Sequence, residues 1–300
     1  MTTTRIPTLF APAGGPNQSD DARWMGELRA WGRALPRPSA VLMFSAHWEE
    51  PQLTLGATAS VPLEYDFGGF PERYYRLTYP APPAPALADR VRALMKDAGR
   101  SVASAPDKGL DHGAYLPLMG LFPNADVPVL QASLPTLEPK ALFELGRLLA
   151  PLRDEGVLIV GAGLLVHNLR MMFDVVRSAP GGWEGLATAE LPVQPWVKDF
   201  DAWVADVTAR RDWDALLDYR KRAPHVGLAL PTDEHFSPLF VVAGAAEREP
   251  VTFPMSGFSY GVATRRGVQF GVMGSNSSVD SSTQRRAVAA RRGRATSGVV

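Results

Sequence analysis

The sequence predicts an α/β fold: a single domain with a central, mainly parallel or mixed sheet flanked by helices. Two observations carry this. Short, strand-length apolar runs occur at 40–46 (AVLMFSA), 127–130 and 157–160. Between them lie longer stretches whose apolar residues recur every three to four positions, the spacing of one helix face. Continuous apolar runs suit strands covered on both sides, as in parallel sheets.

In chain order, a helix is expected over 21–35, where Trp24, Leu28, Trp31 and Leu35 share a face. The run at 40–46 follows as a buried strand. Proline-rich stretches at 80–85 and 122–128 read as loops, because proline brings no backbone N–H to a ladder. Helices are expected at 84–99, 138–153 and 196–218, the last carrying Trp196, Phe200, Trp203 and Val207. The apolar stretch 236–246 also reads as helical. Neither a repeat nor a linker interrupts this order, so residues 1–274 read as one domain. Residues 275–300 lose the apolar pattern and carry Arg285, Arg286, Arg291, Arg292 and Arg294 against the single acid Asp280. They read as a basic, disordered, solvated tail.

Composition excludes several classes. With 300 residues, 46% hydrophobic, the chain can bury a sizeable core. A formal net charge of zero gives no reason to expect nucleic acid or an anionic membrane as partner. The absence of cysteine excludes disulfides, thiolate metal sites and a cysteine nucleophile. There is neither a basic, then apolar leader nor an apolar run long enough to span a bilayer. The expectation is a soluble, cytoplasmic protein, and a homodimer is compatible with it.

Four of the five histidines fall in short polar segments. These are Ser45-Ala46-His47-Trp48, Asp111-His112-Gly113, His167-Asn168-Leu169 and Pro231-Thr232-Asp233-Glu234-His235. Imidazole is both a common metal ligand and the proton carrier of neutral pH. His47 follows one predicted strand and His167 lies just past another, and ligands gather at the carboxyl ends of strands in such sheets. His112 is expected in a flexible, glycine-flanked loop over 109–113. A lone histidine is more often a hydrogen-bonded structural residue than a ligand. Here each has a polar neighbour able to orient it, Ser45, Asp111, Asn168 or Glu234. His225 lacks such a context and reads as structural or surface. Gly161-Ala162-Gly163 follows a strand, but the next glycine of a dinucleotide fingerprint is replaced by Val166. A P-loop is absent as well. Trp48, Phe67, Phe70, Tyr75 and Tyr260 are candidates for an aromatic pocket, although buried aromatics are more often plain core.

Several of these segments stand together with others in a recognisable order. They are Ser45-Ala46-His47-Trp48-Glu49, Asp66-Phe67-Gly68-Gly69-Phe70-Pro71-Glu72, Tyr79-Pro80-Ala81-Pro82 and Gly109-Leu110-Asp111-His112-Gly113. Gly161-Ala162-Gly163 leading to His167-Asn168-Leu169, Glu234-His235-Phe236-Ser237-Pro238-Leu239 and Tyr260-Gly261 complete the set. Over roughly residues 6–272 the chain resembles the class III extradiol ring-cleavage dioxygenases, in the LigB-like branch that includes the DOPA 4,5-dioxygenases. The resemblance implies one non-haem Fe(II), or Zn(II), held by His47 and His235. It implies His167 as the base and His112 as a second proton-moving group. Trp48, Asp111 and Tyr260 are the expected substrate-binding residues, and the expected reactants are an aromatic such as a catechol together with O2.

One position departs from the family. Its first metal ligand is a histidine in a segment like Phe-Ile-Pro-His-Gly-Gly, and here the segment reads Phe10-Ala11-Pro12-Ala13-Gly14-Gly15. Three explanations are open. Ala13 is an introduced His→Ala exchange, or the metal is held with a substitute such as His167, Asp20, Asp21 or water. Alternatively, iron chemistry has been lost, and His112 and His167 serve a metal-independent isomerase, lyase or cyclase. A non-catalytic binding or regulatory protein is the remaining class.

Overall fold

The computed structural model describes residues 5–183 and 191–272, so the basic tail expected at 275–300 lies outside the described residues. The strands are β1 (Thr8–Pro12), β2 (Ala40–Glu49), β3 (Thr54–Leu55), β4 (Ala103–Ser104), β5 (Val129–Leu134) and β6 (Val157–Gly163). They continue with β7 (Val251–Met255), β8 (Phe258–Ser259), β9 (Ala263–Thr264) and β10 (Gly267–Phe270). Eight of the described strands form one mixed sheet in the order β4-β3-β5-β2-β6-β1-β10-β7. Its centre, β5-β2-β6-β1, is parallel. β10 and β7 close one edge antiparallel, and β3 meets β5 antiparallel at the other. The predicted mainly parallel or mixed α/β architecture is the one observed.

The helices are α1 (Ala22–Ala34), α2 (Pro85–Asp97), α3 (His112–Leu121), α4 (Pro139–Leu149) and α5 (Leu169–Ser178). After them come α6 (Pro195–Arg210), α7 (Trp213–Leu217), α8 (Tyr219–Arg222), α9 (Val226–Ala229) and α10 (Pro238–Gly244). Strand alternation sends side chains to opposite faces. Leu9, Val41, Met43, Leu158 and Val160 pack with Trp24 and Leu28 of α1 and Leu116 of α3. Phe10, Leu42, Phe44 and Ile159 pack on the other face with Val91 of α2, Leu145 of α4, Phe200 of α6 and Val242 of α10. Glycines set the closest crossings. A Cβ on Gly32 of α1 would stand 2.0 Å from the Leu121 carbonyl oxygen, and one on Gly120 of α3 would stand 2.5 Å from Leu28 Cβ.

Two expected helices are interrupted. The stretch 138–153 is α4 followed by a 3-10 segment, Ala150–Glu155. The stretch 196–218 breaks after Arg210, where Arg211 takes the left-handed conformation (φ 56°), and the chain restarts as α7. The expected loop over 109–113 is corrected. His112 is the first residue of a helix, not a loop residue. The Asp111 carboxylate caps α3 by accepting the Ala114 N–H at 3.0 Å, a cap worth about 1 kcal/mol. Almost all of α3 is buried, so it has no amphipathic period to detect, and Gly113, Pro117 and Gly120 imitate loop punctuation. Among the described residues, no helix is long and apolar enough to cross a membrane.

Candidate active site

The carboxyl ends of β1, β2 and β6 lie side by side, with Pro12 paired to Gly163 and Ser45 to Ala162. Ala13 follows β1 and the 164–168 loop follows β6, whereas His47, expected just after its strand, lies inside β2 near its carboxyl end, because β2 runs on to Glu49. The Gly161-Ala162-Gly163 segment has a packing role here. A Cβ on Gly161 would stand 2.6 Å from the Pro238 carbonyl oxygen, and one on Gly163 would stand 2.1 Å from that of His235. Only glycine lets the 235–238 segment approach β6 so closely, and the Leu164 N–H then binds the His235 carbonyl at 3.2 Å. Gly113 does the same for His112. A Cβ there would meet Ser45 Oγ at 2.4 Å and His47 Cδ2 at 2.9 Å.

These approaches bring the four histidines together. Ring centroids are 4.0 Å apart for His47 and His112, 5.0 Å for His47 and His235, and 3.5 Å for His167 and His235. One carboxylate serves two of them. Asp66 Oδ1 binds His112 Nδ1 at 2.7 Å and also accepts the His112 backbone N–H at 3.0 Å. Asp66 Oδ2 stands 3.2 Å from His47 Nδ1. Burial alone would raise the Asp66 pKa, but the hydrogen bonds from His112 and His47 outweigh it and hold the carboxyl well below its ordinary range. An ionised Asp66 fixes the proton of both imidazoles on Nδ1 and leaves both Nε2 atoms for other work. In the sequence Asp66 stands out only as the first residue of the 66–72 segment, because its partners His112 and His47 lie far from it in the chain.

On the opposite wall, His167 and His235 are 9% and 4% exposed. The Nδ1 of each is buried without a hydrogen-bond partner. Burial, with the other three imidazoles nearby, pushes His235 well below the ordinary histidine value, so it is neutral at pH 7. Glu234 Oε1 lies 3.6 Å from His167 Nδ1 and accepts the Thr232 hydroxyl at 2.8 Å. Burial raises the Glu234 pKa, yet His167, the backbone and Thr232 bring it below the ordinary value.

The remaining predicted residues divide. Tyr260 belongs to an aromatic wall that runs from His112 through Phe67 (5.5 Å), Phe70 (5.7 Å) and Trp183 (5.2 Å) to Tyr260 (5.9 Å). Trp183 had carried no sequence signal. The Tyr260 hydroxyl accepts from Asn17 Nδ2 at 2.8 Å, tying the wall to the loop after Ala13. Asp111 and Trp48 lie elsewhere. Asp111 is fully buried, with its oxygens taken by Ala114 N–H and Gln131, so it supports His112 from below. Trp48 is buried under Lys108, with its indole N–H on Glu50. Asn168, expected to orient His167, instead caps α5 through the Met171 N–H. His225 pairs with Asp199 at the surface. Residues 257–261 spell Gly-Phe-Ser-Tyr-Gly, the pattern of a serine-hydrolase elbow, but Ser259 lies in a two-stranded hairpin, not at a strand-to-helix turn.

Clustered imidazoles beside an aromatic wall, at the carboxyl ends of parallel strands, form the candidate active site of an α/β enzyme. The chain belongs to the family of the catalytic LigB subunit of aromatic ring-opening dioxygenase, whose family model matches residues 1–271. It is an extradiol-dioxygenase-like enzyme. It is 36% identical over 282 residues to 4,5-DOPA dioxygenase extradiol of Escherichia coli (strain K12), covering 90% of this chain and 97% of that protein. The protein of the same name from Beta vulgaris is 37% identical over 245 residues, covering 80% and 86%. The crystal structure of an uncharacterized protein from Escherichia coli K12 matches with a TM-score of 0.67 at 32% identity, covering 89% of this chain and 100% of that one.

The family implies a non-haem metal, and the residues present fit one. His47, Asp66 and His112 bring one donor atom each to within 4.8 Å of one another, and so do His167, Glu234 and His235. Ala13 is 1% exposed at the end of β1, and its methyl group donates nothing to a metal.

Proposed function

We propose that this enzyme opens the ring of a catechol or related aromatic beside its hydroxyl groups, using O2 and a non-haem metal, Fe(II) or Zn(II). One observation carries the reading: four imidazoles converge at one end of the sheet against an aromatic wall. His47 and His235 would hold the metal, and His112 and His167 would handle protons. A bound metal supplies the positive charge that makes a catechol hydroxyl easier to deprotonate.

The chain's own residues do the rest. His112, anchored through Nδ1, offers Nε2 to take or return a proton, and ionised Asp66 stabilises the imidazolium that forms. His167 has the Glu234 carboxylate nearby, 3.6 Å from its Nδ1, as a source of negative charge without a hydrogen bond. Phe67, Phe70, Trp183 and Tyr260 offer ring faces and edges that orient a flat substrate and exclude water.

The test is oxygen uptake by Fe(II)-reconstituted protein against a panel of substituted catechols, with Ala13→His beside it. The expected result is uptake with a yellow semialdehyde product, stronger in Ala13→His. Silence from both proteins would overturn the reading.

A further inference from the structure

We propose that the mouth of the cleft binds an apolar substituent, so that the favoured substrate is a catechol carrying an uncharged alkyl or aryl group. This rests on the ring-opening reading of the site and narrows its substrate class.

Among the described residues, the large apolar side chains left exposed are Leu169 (48%), Phe173 (37%), Leu228 (47%) and Val272 (59%). Exposed apolar residues scattered singly need no explanation, but a contiguous group marks a surface that binds something. All but Val272 stand beside one active-site histidine. Leu169 and Phe173 lie one turn apart on α5, which begins two residues after His167. Leu228 lies on α9, whose carbonyls hold the same segment. The Leu228 carbonyl accepts from Asn168 Nδ2 at 2.9 Å, and the Ala229 carbonyl accepts the His167 N–H at 2.8 Å.

The apolar stripe of α5 is wider than its buried part. Leu169, Met172, Phe173 and Val176 share one side of the helix, and of these only Met172 and Val176 are buried. Arg170, Asp174 and Arg177 take the adjoining side, with Asp174 and Arg177 paired to each other. The exposed part is continuous with the aromatic wall. The Phe173 ring meets Trp183 at 6.0 Å, and Trp183 stacks on Phe70 at 5.2 Å. Phe70 leads through Phe67 to His112. One apolar surface therefore runs from the imidazoles outward to α5. A catechol with its hydroxyl groups at the histidines would lay a ring substituent along this surface. A charged substituent would exchange water for carbon there, at a cost in free energy, whereas an alkyl or aryl group gains by leaving water.

The test is calorimetric binding, under argon, to the Fe(II)-reconstituted protein. The probes are catechol, its 4-methyl and 4-butyl derivatives, and 3-(3,4-dihydroxyphenyl)propanoate, a charged probe about as long as the butyl one. Leu169→Ser, Phe173→Ser and Leu228→Ser are compared with Val272→Ser, each checked by its melting temperature. Val272 is the control because it lies just past β10, whose Phe270 pairs with Thr8 at the end of the sheet opposite the histidines. At half-burial each CH2 group strengthens binding about twofold, so 4-butylcatechol should bind roughly 10–20-fold more tightly than catechol. The propanoate should gain nothing over 4-methylcatechol. Phe173→Ser should cut the butyl-to-catechol ratio below about fivefold, and Val272→Ser should leave it at the parental value. A flat series, or a ratio that survives all three exchanges beside His167 in folded protein, overturns the proposal. So does a flat series together with dimerisation that Phe173→Ser abolishes, since a second copy would then cover the patch. Oxygen uptake on the same samples separates the two readings. Uptake with equal affinity across the series sinks the apolar mouth alone. Affinity that rises with chain length and depends on Phe173, with no uptake from any catechol, sinks the ring-opening function and leaves the binding surface standing.

Discussion

His167 and His235 stack ring on ring, with centroids 3.5 Å apart and planes inclined by 18°. Burial and the imidazoles around it hold the His235 pKa well below its ordinary value, so the stack is not a pair of cations. The stack depends on the backbone beneath it. The His235 carbonyl rests where a Cβ of residue 163 would be, and the His167 N–H is fixed by the Ala229 carbonyl at 2.8 Å.

Gly163→Ala is therefore expected to damage the site from below. The new Cβ would stand 2.1 Å from a backbone oxygen, which no rotamer change relieves. Overpacking of this kind costs about 1–3 kcal/mol. Thermal melting should show the loss, and catechol-dependent oxygen uptake should fall further than the melting shift explains. Gly26→Ala is the matching control. Gly26 lies in α1 with nothing within 4 Å of the added methyl group, so the exchange should stabilise the protein by roughly 1 kcal/mol.

Asp66→Asn tests the shared carboxylate. Asparagine keeps the size but can no longer accept a hydrogen bond through both terminal atoms, so one imidazole loses its orientation. Ring opening should drop by about 10–100-fold. Rescue by Asp66→Glu, even in part, would mark the charge as the essential element. Unchanged turnover in Asp66→Asn would remove Asp66 from the proton-handling group.

Trp183→Ala tests the aromatic wall. Trp183 stacks on Phe70 with planes 27° apart and meets Tyr260 edge-on. Its loss should raise KM for catechols by roughly 3–10-fold, in line with one aromatic contact, while kcat moves less. A fall confined to kcat would contradict a role in substrate binding.

Arg153→Met tests stability away from the chemistry. Arg153 is 1% exposed and donates to the Ile6 and Ala245 carbonyls at 2.8 and 2.9 Å, with Glu249 at 3.4 Å. Removing the guanidinium strands two acceptors and a carboxylate, for about 2–4 kcal/mol. The melting temperature should fall by roughly 5–10 °C. Specific activity of the folded fraction should not change, because Ile6 precedes β1 at the end of the sheet opposite the histidines.

Much of this protein was legible in the chain. The run at 40–46 is most of β2, which runs on through His47 to Glu49, the Trp24-Leu28-Trp31 stripe is the buried face of α1, and the four histidine rings stand close together. Those signals are local: apolar periodicity reports which face is buried, and a histidine close to the end of an apolar run reports a sheet end. The helix α3 escaped because it is buried on nearly every side and so has no period. Asp111 and Trp48 were misplaced because adjacency in sequence does not say which way a side chain points.

The sequence by itself determined the α/β layering, the histidine inventory and the presence of alanine at position 13. Only the tertiary structure decided that Asp66 serves two histidines, that Glu234 stands beside His167, and that Gly161 and Gly163 make room for His235. The reason is physical. Pattern along a chain encodes burial, which depends on near neighbours. A site is a set of distances between distant segments, and those distances exist only once the sheet has set its register and the helices have packed on it.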